Sequence, residues 1–113
     1  MCTKNELDEL LKIIADTYRE VYGKKVVKIL LYGSFARGDN NEFSDVDIVA
    51  LINDDRKDIQ AALKDVWEVS SELELKYDVI VSPTAIPIEE FEKYKNDLPY
   101  YKNINNEGVE IVA

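Results

Sequence analysis

Histidine is absent from the 113 residues, which excludes Ser-His-Asp and Cys-His catalysis and any histidine-ligated zinc or iron. The single cysteine, Cys2, can form neither an intrachain disulfide nor a thiolate metal cluster, and its place beside the N-terminus makes it a poor candidate nucleophile. No apolar run reaches the roughly 18 residues of a membrane span, and nothing resembles a signal peptide, so a soluble cytoplasmic protein without membrane contact is expected. Basic residues are in short supply. Fourteen Lys and Arg face 23 Asp and Glu, for a net charge of −9. Phosphate backbones are bound by clustered Lys and Arg, so direct nucleic-acid binding is not expected. The balance favours small polyanions held through metal ions, or a basic protein partner.

Apolar residues make up 46% of the chain, enough for one core and too many for disorder. The length fits one domain spanning residues 1–113, of modest stability. Leu7, Leu10, Leu11, Ile14, Tyr18, Val21 and Tyr22 recur at helical spacing, predicting an amphipathic helix over 5–22. Thr3 and Glu6 suit a capping box at its start, and Gly23 suits its end. The run from Val26 to Tyr32 reads as a buried strand, followed by a short helical turn and a polar loop to Ser44. Residues 46–52 read as a second strand, apolar on both faces from Ile48 and therefore central. Asn53-Asp54-Asp55 ends it and caps a helix over 57–76, whose inward stripe is Ile59, Leu63, Val66, Trp67, Ser70 and Leu73. Trp67 is expected in the core. A third strand is expected over Tyr77–Ser82, parallel to the second through a right-handed crossover. Pro83 and Pro87 then bracket a turn, Ile88–Lys95 forms a short helix, and Val109–Val112 adds an edge strand. Tyr100 and Tyr101 are expected either to anchor a partner or to pack the tail on the core. The resulting class is α+β, a small mixed sheet flanked by helices.

The informative segment is Gly33-Ser34-Phe35-Ala36-Arg37-Gly38, then Ser44-Asp45-Val46-Asp47. A Gly-Ser pair between a buried strand and a helical turn presents unpaired backbone N–H groups to an anion. Ser34 adds a hydroxyl and Arg37, one turn on, a forked guanidinium. Asp45 and Asp47 alternate along a strand, so both carboxylates project from one face. Such a pair is relieved by a proton or by a divalent cation, and Mg²⁺ prefers one or two carboxylates together with phosphate oxygens. Asp78 falls near the start of the next strand. If that strand is the parallel neighbour, a third carboxylate stands beside the pair, a set suited to two-metal phosphoryl or nucleotidyl transfer. Singly, each part is ordinary: a Gly-Ser is usually a turn, an Asp-x-Asp a strand end. An EF-hand is excluded because Phe43 and Ser44 fall where a ligand and glycine are needed. A Walker loop is excluded because no Gly-Lys-Ser/Thr occurs.

Gly33-Ser34, ten intervening residues and Asp45-x-Asp47 resemble the signature of the DNA polymerase β-type nucleotidyltransferase superfamily. The form Gly-Ser-Phe-Ala-Arg-Gly, the short length and the tail Tyr101-Lys102-Asn103-Ile104 with Glu107-Gly108-Val109 resemble its minimal nucleotidyltransferase branch. The resemblance implies a polymerase-β-like fold and ATP as substrate. It implies that Gly33 and Ser34 bind the β- and γ-phosphates with help from Arg37, and that Asp45 and Asp47 hold two Mg²⁺ ions. Asp78 matches the third carboxylate, a metal ligand that also draws the acceptor's proton. Members of the branch are typically paired with a small helical HEPN-type protein, and in toxin–antitoxin pairs the transferase adenylylates a tyrosine of the toxin. The implied activity is thus AMP transfer to a hydroxyl of a partner protein. Two rival readings are a small-molecule transferase of the aminoglycoside type, whose extra helical domain is missing here, and an antitoxin acting by binding alone. A third is an acidic α+β domain whose motif is coincidental.

Overall fold

The computed structural model describes residues 3–111; Cys2 and Val112 lie outside the described residues. Helix α1 spans Lys4–Tyr22, and a short 3-10 turn, Gly23–Lys25, leads into β1 (Val26–Tyr32). Then come α2 (Ser34–Arg37), β2 (Asp45–Ile52), α3 (Arg56–Tyr77) and β3 (Ile80–Pro87). Helices α4 (Ile88–Tyr94) and α5 (Pro99–Glu107) and the two-residue β4 (Val109–Glu110) complete the chain. The strands form one mixed sheet in the order β3-β2-β1-β4, with β2 and β3 parallel and the other pairs antiparallel. The expected α+β class with a mixed sheet and a central second strand is what forms.

The start of α1 is the expected capping box: the Glu6 N–H donates to Thr3 Oγ1 at 3.2 Å and the Thr3 N–H to Glu6 Oε1 at 3.0 Å. Leu10, Ile14 and Tyr18 are fully buried against one face of the sheet, with Ile29, Val46, Ile48 and Ile52 beneath them and α3 alongside. The other face holds a smaller cluster. Leu30, Val49, Leu51 and Ile86 are covered there by Phe91 of α4 and Ile104 of α5. That cover reaches only part of the strand. Asp45 and Asp47, at the beginning of β2, stay half-exposed, while every residue from Ile48 to Ile52 is buried.

Trp67 departs from expectation: it is 56% exposed, and its Nε1–H donates to Pro83 O at 2.9 Å. Gln60 and Glu74, seven residues to either side of it on α3, do the same work. Gln60 Nε2 donates to Ala85 O at 3.2 Å, and Glu74 Oε2 accepts from the Val81 N–H at 2.8 Å. These three side chains occupy three of the backbone groups that β3 turns away from β2, and so blunt the sheet edge. Pro83 is tolerated inside β3 for the same reason, since an edge strand's outward positions need no ladder N–H. The proline pair therefore lies within a strand and does not bracket a turn.

Strand β3 begins three residues later than expected. Leu73 and Tyr77 continue the buried stripe of α3, and the Tyr77 hydroxyl donates to Glu9 Oε2 at 3.0 Å, so the helix holds through Tyr77. Asp78 then takes a left-handed conformation (φ 52°, ψ 52°), which aspartate tolerates, and turns the chain. The tail is also more ordered than expected. Pro99 opens α5 as its first residue, and Tyr101 and Ile104 point inward while the asparagines face solvent. The edge strand is confined to Val109–Glu110, with one further bond from the Ile111 N–H to Ile29 O at 2.8 Å.

Arg56 at the head of α3, Glu90 of α4 and Tyr101 of α5 form one hydrogen-bonded knot. Arg56, and secondarily Tyr101, hold the Glu90 carboxyl below its ordinary range. A depressed carboxylate contributes stability above its unfolded pKa of about 4.3 and loses it as pH falls through the folded value. Arg56→Ala is expected to lower urea-unfolding stability at pH 7 by about 1 kcal/mol or less, the pair being solvent-screened. The difference from wild type should shrink as pH falls below the ordinary glutamate range. An equal loss above and below that range would assign it to packing of the arginine stem.

Candidate active site

The end of β1 and the beginning of β2 meet at one corner of the sheet. Gly33 takes φ 78° and ψ −156°, a region that essentially only glycine enters. A Cβ at this position would stand 2.5 Å from Asp47 Oδ2. The turn and the carboxylate are therefore in direct apposition, and the glycine is what permits it. From Gly33 the chain enters α2, whose Ala36 and Arg37 N–H groups both donate to Gly33 O at 3.1 Å. The N–H groups ahead of them, on Ser34 and Phe35, begin the helix and have no intrahelical acceptor.

Asp45 and Asp47 project from one face of β2, as expected from their spacing. The Asp47 carboxyl is pushed up, first by burial and then by the Asp45 charge, with Arg37 acting in the opposite direction. Two carboxylates that repel at the mouth of an N–H-lined turn, with only hard oxygen donors, form a donor set that fits a divalent cation bridging to phosphate.

Arg37 lies at the exposed rim. Its Nε donates to Asp39 Oδ2 at 3.1 Å and its NH1 to Glu107 Oε2 at 2.8 Å. Its guanidinium is thus already engaged by two carboxylates. Asp78 is not level with the pair. The β2–β3 register sets Ile80 beside Asp45 and Ser82 beside Asp47, whereas Asp78 precedes β3 at the end of α3. It borders an adjoining hollow with Ser44 and Ile80. The structure therefore gathers Gly33, Ser34, Asp45 and Asp47, brings Arg37 to their edge, and holds Asp78 on the adjoining rim, two residues before the register partner of Asp45.

Three further side chains reach this corner that the sequence did not assign to the site. Tyr32 is the register partner of Asp47 on β1, and its hydroxyl lies 3.0 Å from that of Tyr100 on α5. Burial first, then the Tyr100 hydrogen bond, raise the Tyr32 hydroxyl well above its usual range. Glu107 reaches Arg37 across 70 residues of sequence. Tyr101, by contrast, packs inward against Phe91 and Tyr94.

A second acidic group, Asp54, Asp55 and Asp58, has oxygens within 4.8 Å of one another. It lies past the opposite end of β2 and has another explanation. Asp55 caps α3 by accepting from the Asp58 N–H at 2.8 Å, and Asp54 pairs with Lys25 at 2.8 Å. Among the described residues no helix is long and apolar enough to cross a membrane.

Residues 7–110 match the family described as nucleotidyltransferase domain. Two chains of Methanocaldococcus jannaschii, both named putative protein adenylyltransferase, are similar along most of their length. One is 30% identical over 110 residues, covering 94% of this chain and 99% of that one. The other is 31% identical over 101 residues, covering 89% and 93%. Two solved structures share the fold. A mutant toxin–antitoxin MntA-HpeT structure has a TM-score of 0.51 at 19% identity, covering 100% of this chain and 74% of that one. A toxin–antitoxin structure with AMP-PNP has a TM-score of 0.52 at 20% identity, covering 94% and 69%. The family match runs through both strands of the site and nearly to the end of the tail, so the chain belongs to the nucleotidyltransferase domain family and is a nucleotidyltransferase.

Proposed function

We propose that the chain is a single-domain protein adenylyltransferase that moves AMP from ATP to a side-chain hydroxyl of a partner protein. The observation that carries the reading is the apposition of the Gly33–Ser34 turn and the Asp47 carboxylate, with Asp45 on the same face. The names of the two relatives and the AMP-PNP in a solved structure of the same fold support a protein acceptor and an adenine nucleotide.

Asp45 and Asp47 would hold Mg²⁺, two ions in all, with Asp78 as the more distant third ligand. Mg²⁺ bound there supplies neutralisation of triphosphate charge and acidification of the attacking hydroxyl. The N–H groups of the Gly33–Ser34 turn and the Ser34 hydroxyl grip the β- and γ-phosphates and fix the α-phosphorus in front of the acceptor. Arg37 exchanges a carboxylate partner for a phosphate oxygen. The acceptor oxygen bonds to the α-phosphorus, the bond to the β-bridging oxygen breaks, and pyrophosphate leaves. The acceptor's proton passes to Asp78. The partner we assign is a small helical HEPN-type toxin modified on tyrosine, in the cytoplasm where ATP and Mg²⁺ are at hand, which makes this chain an antitoxin.

Incubating the chain with α-labelled ATP, Mg²⁺ and a candidate helical partner, then mapping label by mass spectrometry, tests this. Label on a tyrosine hydroxyl, dependent on Mg²⁺, is expected. Label confined to a small-molecule acceptor would move the protein to the drug-modifying class. Neutralisation of the toxin with no label would make it an antitoxin by contact.

A further inference from the structure

Of the eight large apolar side chains exposed among the described residues, four line two hollows along α3 and β3 that share Glu74. They are Phe43 (84% exposed), Leu75 (89%), Ile80 (58%) and Trp67 (56%). Phe43, Leu75 and Ile80 line one hollow of about 400 Å³. Trp67 lines a second of about 320 Å³, and Glu74 belongs to both. Monomeric proteins leave such clusters bare chiefly where something docks.

The surface is also built firmly. Phe43 stands on a turn closed by three bonds: its own N–H to Asn41 Oδ1 at 2.8 Å, Ser44 N–H to Asn41 O at 3.1 Å, and Asn41 N–H to Ser44 Oγ at 2.9 Å. The Trp67 indole is fixed by its bond to Pro83 O and offers its free face to solvent. A rigid aromatic that gives up little entropy on contact is the usual anchor of an interface.

The occupant is set by charge. The charged residues lining both hollows are Glu42, Glu74 and Asp78, all acidic, with no Lys or Arg among them. The wider chain carries −9. A second copy of this chain would bring the same acidic rim against itself, which like-charge repulsion opposes. The position relative to catalysis follows from the sheet. Ile80 is level with Asp45 on the neighbouring strand, about 4.8 Å away across the ladder.

We infer that the Phe43–Leu75–Ile80–Trp67 surface is the acceptor-docking site, and that it takes a cationic, amphipathic protein segment whose hydroxyl side chain then lies over the Asp45–Asp47 pair. The acceptor's part in this rests on the adenylyltransferase reading; the docking itself does not.

Trp67 is the only tryptophan, so its emission reports on this surface alone. The full chain is titrated with a tryptophan-free helical peptide of Lys and Leu bearing one Tyr, and with an analogue in which Glu replaces Lys. A saturable blue shift with the cationic peptide, weakened by salt and absent with the anionic one, is expected. Phe43→Lys with Leu75→Lys, both at solvent-exposed positions, should weaken it at least about tenfold. Equal shifts in wild type and double variant, equal shifts with both peptides, or no shift would each overturn the inference. So would emission that moves with protein concentration alone, which would mark self-association. In the transfer assay the double variant should raise KM for the protein acceptor and leave Mg²⁺-dependent ATP affinity unchanged. A wild type that labels no protein defeats the adenylyltransferase reading, and the peptide titration, which uses no ATP, still decides the docking surface.

Discussion

Asp47→Asn is expected to yield a folded protein whose nucleotidyl transfer falls by at least about a thousandfold. The magnitude follows from the charge stabilisation that a divalent cation gives in such transfers, several kcal/mol at roughly 1.4 kcal/mol per decade. Asn keeps the shape and one oxygen but removes the charge that completes the pair. Stability should not suffer. Burial and the Asp45 charge raise the Asp47 carboxyl in the folded state, so its ionisation costs more there than in the unfolded chain. A neutral side chain removes that unfavourable contribution. Circular dichroism melts should therefore show a midpoint equal to or above wild type. Mg²⁺ with ATP should raise the wild-type midpoint by mass action and leave that of the variant unmoved. Transfer within tenfold of wild type would show that the pair is not the cation site.

Gly33→Ala should damage both fold and activity. The backbone there occupies a region nearly closed to other residues, which costs about 1–3 kcal/mol. The new methyl also meets Asp47 Oδ2 at 2.5 Å, so the carboxylate must swing away from the turn. A midpoint lowered by roughly 10 °C is expected for about 2 kcal/mol in a domain of this size. Transfer should be lost even at temperatures where the variant stays folded. Gly38→Ala separates the two effects. Gly38 also has a positive φ, 82°, but a Cβ there meets nothing within 4 Å. It should lower the midpoint and leave transfer largely intact. Loss of transfer in both variants would assign the effect to backbone strain and not to the carboxylate.

Local rules were sufficient where the residues that make an element are neighbours in sequence. The capping box of α1, the extent of β1 and the central position of β2 are of this kind. So are Gly33, Ser34, Asp45 and Asp47, which a single loop brings together. Long-range packing decided the rest. Tyr77 reads as well as a strand residue as a helical one, and only its burial and its bond to Glu9 hold it in α3 and displace Asp78 from β3. Trp67 has the spacing of a core residue, yet the strand edge beside it offers its indole a carbonyl that the core does not. Glu107 and Tyr100 enter the site from a helix whose placement depends on packing against residues distant in sequence, Leu30, Val49 and Leu51 among them. No spacing in the sequence encodes that approach.

An open catalytic corner next to an edge strand is a hazard, because bare strand edges recruit other chains into cross-β stacks. With Gln60, Trp67 and Glu74 bonded to Ala85 O, Pro83 O and the Val81 N–H, and Pro83 lacking an N–H, that side is a poor template for polymerisation. The other edge is β4, two residues long and ending in a charge. Docking on the β3 side would therefore proceed through side chains and not by strand addition.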